Sequence, residues 1–275
     1  MTVSKNTMDF PTPAFVCPCD AEFLLLSYPK SGSTWMRYCI EFLTERPTFF
    51  RTPEPRDRLR VTGHIDSPFF VEFLTNEPII LKRHAWDEEE AKTKRAYKKI
   101  ILLIRNYKEV ALRNGAPLPS GHAAQTEAGL RSGWAQKLVD PQDLLQLFQP
   151  YIDSIEKYHN HEGEKAIVYY EDLILSPKQT LINLMNCMQV PKRYENKLEQ
   201  LMDNFKKHKN TCGEKYRSMS TNQYRTMTID NKDMQFHQKI YKNRELSETI
   251  DKEIERMSPE FFELYLKHYK GYPGK

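Results

Sequence analysis

Residues 23–44 run FLLLSYPKSGSTWMRYCIEFLT: an apolar run, a turn and a helical repeat in immediate succession. Phe23, Leu24, Leu25 and Leu26 have the unbroken apolarity of a central parallel strand, which helices cover on both faces. Tyr28-Pro29 ends the run. From Ser33 onward Trp35, Met36, Cys39, Ile40 and Leu43 recur at helical spacing until Pro47 stops the pattern. In the turn between, Gly32 lets a backbone approach a ligand closely, and the helix start behind it offers unpaired N–H groups, a combination that suits an anion. Lys30 adds a mobile positive charge, and Ser31, Ser33 and Thr34 add hydroxyl donors. The same composition also fits an ordinary strand-to-helix turn capped by Ser33. A Walker nucleotide loop is excluded, because here the Lys precedes the only Gly.

Around this stretch, 275 residues with 39% hydrophobic content can bury a substantial α/β core. The net charge of +4, from 41 basic and 37 acidic residues, suits a small anionic ligand and does not indicate a nucleic-acid binder. No apolar run of about 18 residues marks a membrane span, and residues 1–20 lack a signal-peptide layout, so a cytoplasmic protein is expected. Five cysteines argue against a disulfide framework, and Cys17 and Cys19 are too close for a zinc pair, so no metal is expected.

Further strands follow in order. Pro78 to His84 is an apolar run ending in Lys82, Arg83 and His84; ligands of open α/β sheets sit at the carboxyl ends of strands, so His84 is placed for chemistry or is a surface His before an acidic turn. Lys99 to Ile104 is the clearest strand and runs into Arg105, poised to grip a phosphate bidentately. A helix over Tyr107 to Arg113 follows. Residues 48–67 read as surface connection and 116–133 as a surface loop. Leu138 to Tyr158 reads as a helix that Pro150 splits, with His159-Asn160-His161 at its end. Ala166 to Tyr170 is a strand, Lys178 to Met188 a helix, and Leu198 to Phe205 a short amphipathic helix. Residues 206–275 read as a basic lid followed by C-terminal helices, and 1–20 as an extended lead-in.

Tyr28-Pro29-Lys30-Ser31-Gly32-Ser33-Thr34-Trp35 resembles the YPKSGTTW signature of the cytosolic sulfotransferases, with one Thr replaced by Ser. The resemblance implies that Lys30, Ser31, Gly32, Ser33 and Thr34 hold the 5′ end of 3′-phosphoadenosine 5′-phosphosulfate (PAPS) as cosubstrate, with Trp35 near the adenine. Lys82 and His84 match the family's KTHLP element, in which Lys and His flank the sulfonate and the His is the catalytic base; Arg83, Ala85 and Trp86 depart from it. Arg105 matches the Arg that binds the 3′-phosphate, while the Ser expected eight residues later is Arg113. Tyr170, in a segment similar to VLxxxYEDL, matches the Tyr at the adenine edge. Asn204-Phe205 stands near a Thr-Ser-Phe that closes on the adenine, and Lys232 is what survives of an Arg-Lys-Gly element over the 3′-phosphate. The family's dimer motif is not met, since Asn243-Arg244 occupies its Thr-Val position, which leaves the oligomeric state open.

The expectation is therefore an α/β fold, a single P-loop-like domain over residues 1–275 with a central, mostly parallel sheet flanked by helices. The resemblance, which covers roughly residues 20–205 with its motifs in order, implies a sulfotransferase that moves a sulfonate from PAPS to a hydroxyl or amine of a small-molecule acceptor. His84 is the base and Lys30 and Lys82 stabilise charge. Two other readings stand beside it: a P-loop-type small-molecule kinase, and a non-catalytic nucleotide-binding protein.

Overall fold

The computed structural model describes residues 21–50, 79–84, 97–114, 141–219 and 244–270, with the backbone alone for 49–50, 111–114, 141–147, 213–219 and 246. Its centre is the strand β1 (Phe23–Ser27), buried at every position, with Leu25 and Leu26 fully inaccessible. It is flanked on one side by β3 (Ile80–Arg83) and then β2 (Thr48–Phe50), and on the other by β4 (Lys99–Ile104) and then β5 (Glu164–Tyr169); every neighbouring pair is parallel.

The two-residue alternation of the strands makes two cores. Leu24, Leu26, Leu81, Ile100, Leu102 and Ile104 face a layer that contains α2 (Tyr107–Asn114), α3 (Pro141–Asn160) and α8 (Arg244–Met257), represented by Tyr107, Phe148, Ile155 and Ile254. Phe23, Leu25, Ile80, Ile101 and Leu103 face the opposite layer. That layer contains α1 (Ser33–Thr44), α5 (Pro177–Cys187), α6 (Glu195–Asp203) and α7 (Phe205–Met219). Each fully buried Leu or Ile in these layers stabilises the fold by about 1.5–3 kcal/mol. The helix after β1 lies on one face and the helix after β4 on the other. The loops of two adjacent strands therefore diverge and open a crevice at the carboxyl edge of the sheet, where ligands of such sheets bind.

Four expectations need correction. Residues 48–50 are not surface connection but the edge strand β2: the Arg37 guanidinium donates to the Thr48 hydroxyl at 2.7 Å and carbonyl at 3.0 Å. Glu41, one turn further along α1, accepts the Thr48 N–H at 3.1 Å and its hydroxyl. These partners lie seven and eleven residues back in the chain, so no local pattern reveals the strand. Residues 206–219 are not lid but the body of α7, whose Phe205, His208 and Cys212 pack on α1 among lysines. Pro150 does not split α3; the helix runs through it, losing one N–H bond while buried Phe148, Tyr151 and Ile152 hold both halves to the sheet. Ser33 does not cap α1: Gly32 takes the N-cap position. The lead-in 1–20, the loop 116–133 and residues 220–243 lie outside the described residues.

Candidate active site

The crevice is built from the loop after β1. Lys30 and Gly32 both have left-handed backbone, φ 69° and 91°, on either side of Ser31, a backbone of the kind that can turn successive N–H groups towards an anion. The Ser31 N–H closes the turn on the Tyr28 carbonyl at 3.1 Å, and the first α1 bond runs from Met36 N–H to the Gly32 carbonyl at 3.2 Å. No side chain among the described residues caps α1, and its first turn carries no acid, so its positive end remains available to an anion. The Ser31 hydroxyl is fully buried without a hydrogen-bond partner among the described residues, a group that an anionic ligand would satisfy. Ser33 and Thr34 open the helix on the same turn.

Gly32 is required here twice over. Its backbone is left-handed, and a Cβ would overlap the ring of Tyr170, the first residue of α4 (Tyr170–Leu175). Tyr170 also carries Arg105, whose guanidinium lies 4.3 Å from the ring centroid, an arrangement that favours a cation over a π face. Arg105 Nη1 donates to the Lys30 carbonyl at 3.1 Å, so it crosses the crevice and holds the loop; Nη2 reaches Glu109 at 3.4 Å.

On the other flank of β1, Lys82 and His84 leave β3. The His84 Nδ1 lies 2.7 Å from the Ser27 carbonyl, which can only accept, so Nδ1 carries the proton and Nε2 the lone pair. That lone pair accepts from the Lys82 ammonium. Burial, and next the charge of Lys82, push the His84 pKa down to about 3; Lys30 and Arg37 act in the same direction, and the Ser27 carbonyl opposes them. The imidazole is thus neutral and of fixed tautomer, with Nε2 aligned on the ammonium of Lys82, a residue 3% exposed.

Lys30, Ser31, Gly32, Ser33, Thr34, Lys82, His84, Arg105 and Tyr170 therefore come together at one edge of the sheet. Trp35 packs in the layer between α1 and α7, stacked on Tyr38 at 5.4 Å and meeting Phe205 edge-on at 5.2 Å. The chain thus brings Trp35 beside the Phe205 of the Asn204-Phe205 pair. Arg113 lies on the α2 backbone with its side chain outside the described residues, as does all of Lys232. Of the Asn243-Arg244 pair, Arg244 meets Glu248, exposed and one turn further along α8, at 2.6 Å, and Asn243 lies outside the described residues. Sequence reasoning missed Ser27, whose backbone carbonyl fixes His84, and Tyr151, whose hydroxyl donates to the Arg105 carbonyl at 2.9 Å. No sequence signal could have found a carbonyl contact; Tyr151 carried only its place on the apolar face of α3. Among the described residues no group of His, Cys, Asp and Glu is arranged to hold a metal, and no helix is long and apolar enough to cross a membrane.

No protein-family model matches the chain, and no curated protein matches it. Among solved structures, that of mouse sulfotransferase SULT7A1 complexed with PAP aligns over 91% of this chain and 88% of that one with a TM-score of 0.51 at 17% sequence identity. At that identity the likeness is one of fold, a parallel sheet between helices.

Proposed function

We propose that the chain transfers a sulfonate group from PAPS to a hydroxyl or amine of a small-molecule acceptor. The observation that carries this reading is the neutral, tautomer-fixed His84 beside the ammonium of the buried residue Lys82, next to an anion-suited loop on a sheet of this architecture. The residues fit the nucleotide: the buried Ser31 hydroxyl without a partner among the described residues and the uncapped start of α1 both suit an anion at close range. When bound, PAPS supplies an activated sulfonate on a phosphate leaving group.

The chain's residues then divide the work. His84 Nε2 takes the proton of the acceptor as its oxygen or nitrogen attacks, the task of a general base. Lys82 turns from His84 to the sulfonate oxygens, which frees the lone pair, and Lys30 meets the charge that grows on the leaving oxygen. Arg105 grips the 3′-phosphate, with Arg113 and Lys232 as further cations for it, while Tyr170 and Trp35 meet the adenine. Charge compensation comes from ammonium groups and backbone N–H donors, so none of these steps calls on a metal ion.

Incubation of the chain with ³⁵S-labelled PAPS and a panel of phenols, alcohols and amines tests the reading; labelled product from at least one acceptor is expected, and its loss in His84→Ala. Thermal unfolding separates the rivals. Adenosine 3′,5′-bisphosphate at about a hundred times its Kd should add about 2.7 kcal/mol. Stabilisation by magnesium-ATP alone would favour the kinase, and stabilisation by the bisphosphate without turnover on any acceptor would favour a binding protein.

A further inference from the structure

We propose that Glu171 is a positioning residue for the 3′-phosphate: its carboxylate fixes the peptide that carries Arg105, and Tyr269 holds the carboxylate in place. The inference rests on the reading of Arg105 as the 3′-phosphate ligand. Glu171 Oε1 accepts the backbone N–H of Asn106 at 3.0 Å, and Oε2 accepts the Tyr269 hydroxyl at 2.7 Å. That N–H belongs to the same peptide unit as the Arg105 carbonyl, which accepts the Tyr151 hydroxyl at 2.9 Å. Both polar ends of one peptide plane are therefore held by side chains from outside the strand, and the plane sets the direction in which the Arg105 side chain leaves the backbone.

The next residue continues the constraint. Asn106 is 1% exposed, and its Oδ1 accepts the Lys108 N–H at 3.0 Å, which caps α2. Glu171 also follows Tyr170 directly, so the first turn of α4 supplies both the ring beneath the Arg105 guanidinium and the acceptor behind its peptide. A carboxylate that takes two donors at once is a strong and directional acceptor. A bidentate guanidinium contact is sensitive to small misplacement, because both N–H donors must meet their oxygens together. Tyr269, almost at the end of the described chain, thereby makes the C-terminal segment part of the selectivity for a 3′-phosphorylated nucleotide.

Calorimetric titration of adenosine 3′,5′-bisphosphate and adenosine 5′-monophosphate against four variants tests this. Glu171→Ala should weaken the bisphosphate about tenfold and the monophosphate less than about twofold. Glu171→Gln keeps an oxygen for the Asn106 N–H and should restore most of the loss, whereas Tyr269→Phe should show a selective loss of about threefold. Arg105→Ala must itself lose the bisphosphate selectively. If it does and Glu171→Ala shows equal losses for both nucleotides or none, the positioning role is overturned and the reading of Arg105 stands. If Arg105→Ala shows no selective loss, both fall. Should Glu171→Ala fail to fold, Tyr269→Phe decides alone: a selective loss upholds the role, and an equal or absent loss overturns it.

Discussion

His84 is held between a carbonyl that fixes its proton on Nδ1 and an ammonium that faces Nε2, which makes its behaviour testable in two independent ways. Its pKa falls from the usual 6.5 to about 3 in the folded chain, so the unfolded chain binds the proton first as pH drops. The stability tied to this group is therefore complete above pH 6.5 and is lost as pH falls towards 3, at up to about 1.4 kcal/mol per pH unit. Urea unfolding at about pH 7.5 and 5.5 should show wild type losing roughly 1.4 kcal/mol more than His84→Ala across that interval; parallel losses would show that His84 is not buried neutral. The same variant should lose about a hundredfold to ten-thousandfold in sulfonation while binding the bisphosphate nearly as before, since in the proposed reaction the base acts on the acceptor. In the proposed reaction Lys30 acts on the leaving group instead. Lys30→Met should lower kcat more than nucleotide affinity, because only interactions that strengthen in the transition state accelerate chemistry; a loss of affinity with kcat intact would reduce Lys30 to a tether.

The loop between β1 and α1 shows how an element can be over-determined. Gly32 combines a φ of 91° with a Tyr170 ring where a Cβ would stand. Gly32→Ala should cost about 1–2 kcal/mol for the left-handed backbone alone, and more for displacing the ring. Because Tyr170 also lies beneath Arg105, nucleotide affinity should fall with stability in this variant, and a titration with affinity unchanged would uncouple the loop from the ring. This loop was legible in the sequence for a physical reason: strand, turn and helix are contiguous, and apolar periodicity plus Gly and Pro are local signals. So were β4 and the strand-end places of His84 and Arg105. What was not legible depends on contacts across the chain. Strand β2 exists because Arg37 and Glu41 take every polar group of Thr48 that they can reach, and α7 because Phe205, His208 and Cys212 recur at helical spacing within a run dominated by lysines. The Tyr38 hydroxyl on His208 Nδ1 at 2.8 Å adds a contact 170 residues away in sequence. Basic composition alone reads as solvated surface; the apolar stripe hidden in it was the signal available.

Across the whole molecule, the C-terminal segment packs behind the Arg105 peptide through Tyr269 and Glu171, and α8 is tied to α2 by a buried ion pair. Lys108 Nζ lies 2.8 Å from Asp251 Oδ2 of α8 and 2.9 Å from the Ser247 hydroxyl, and the Tyr107 hydroxyl donates to the other Asp251 oxygen. Both ionic side chains are almost inaccessible, at 1% and 8%. Such a pair gains little over a well-packed apolar pair, because desolvation offsets most of the attraction, but removing one partner strands the other charge in the core. Asp251→Leu should therefore cost about 3–5 kcal/mol, and Lys108→Met a similar amount. The double variant Lys108→Met with Asp251→Leu should recover most of that loss, since it leaves no orphaned charge and fills the space. Urea unfolding of the four proteins closes the cycle. Because Lys108 sits three residues after Arg105, at the first turn of α2, the single variants should also weaken the bisphosphate more than the monophosphate, in proportion to how far α8 is loosened. If either single substitution costs under about 1 kcal/mol, or if the two losses simply add in the double variant, the pair does not anchor α8, and the C-terminal segment is joined to the site by its apolar contacts alone.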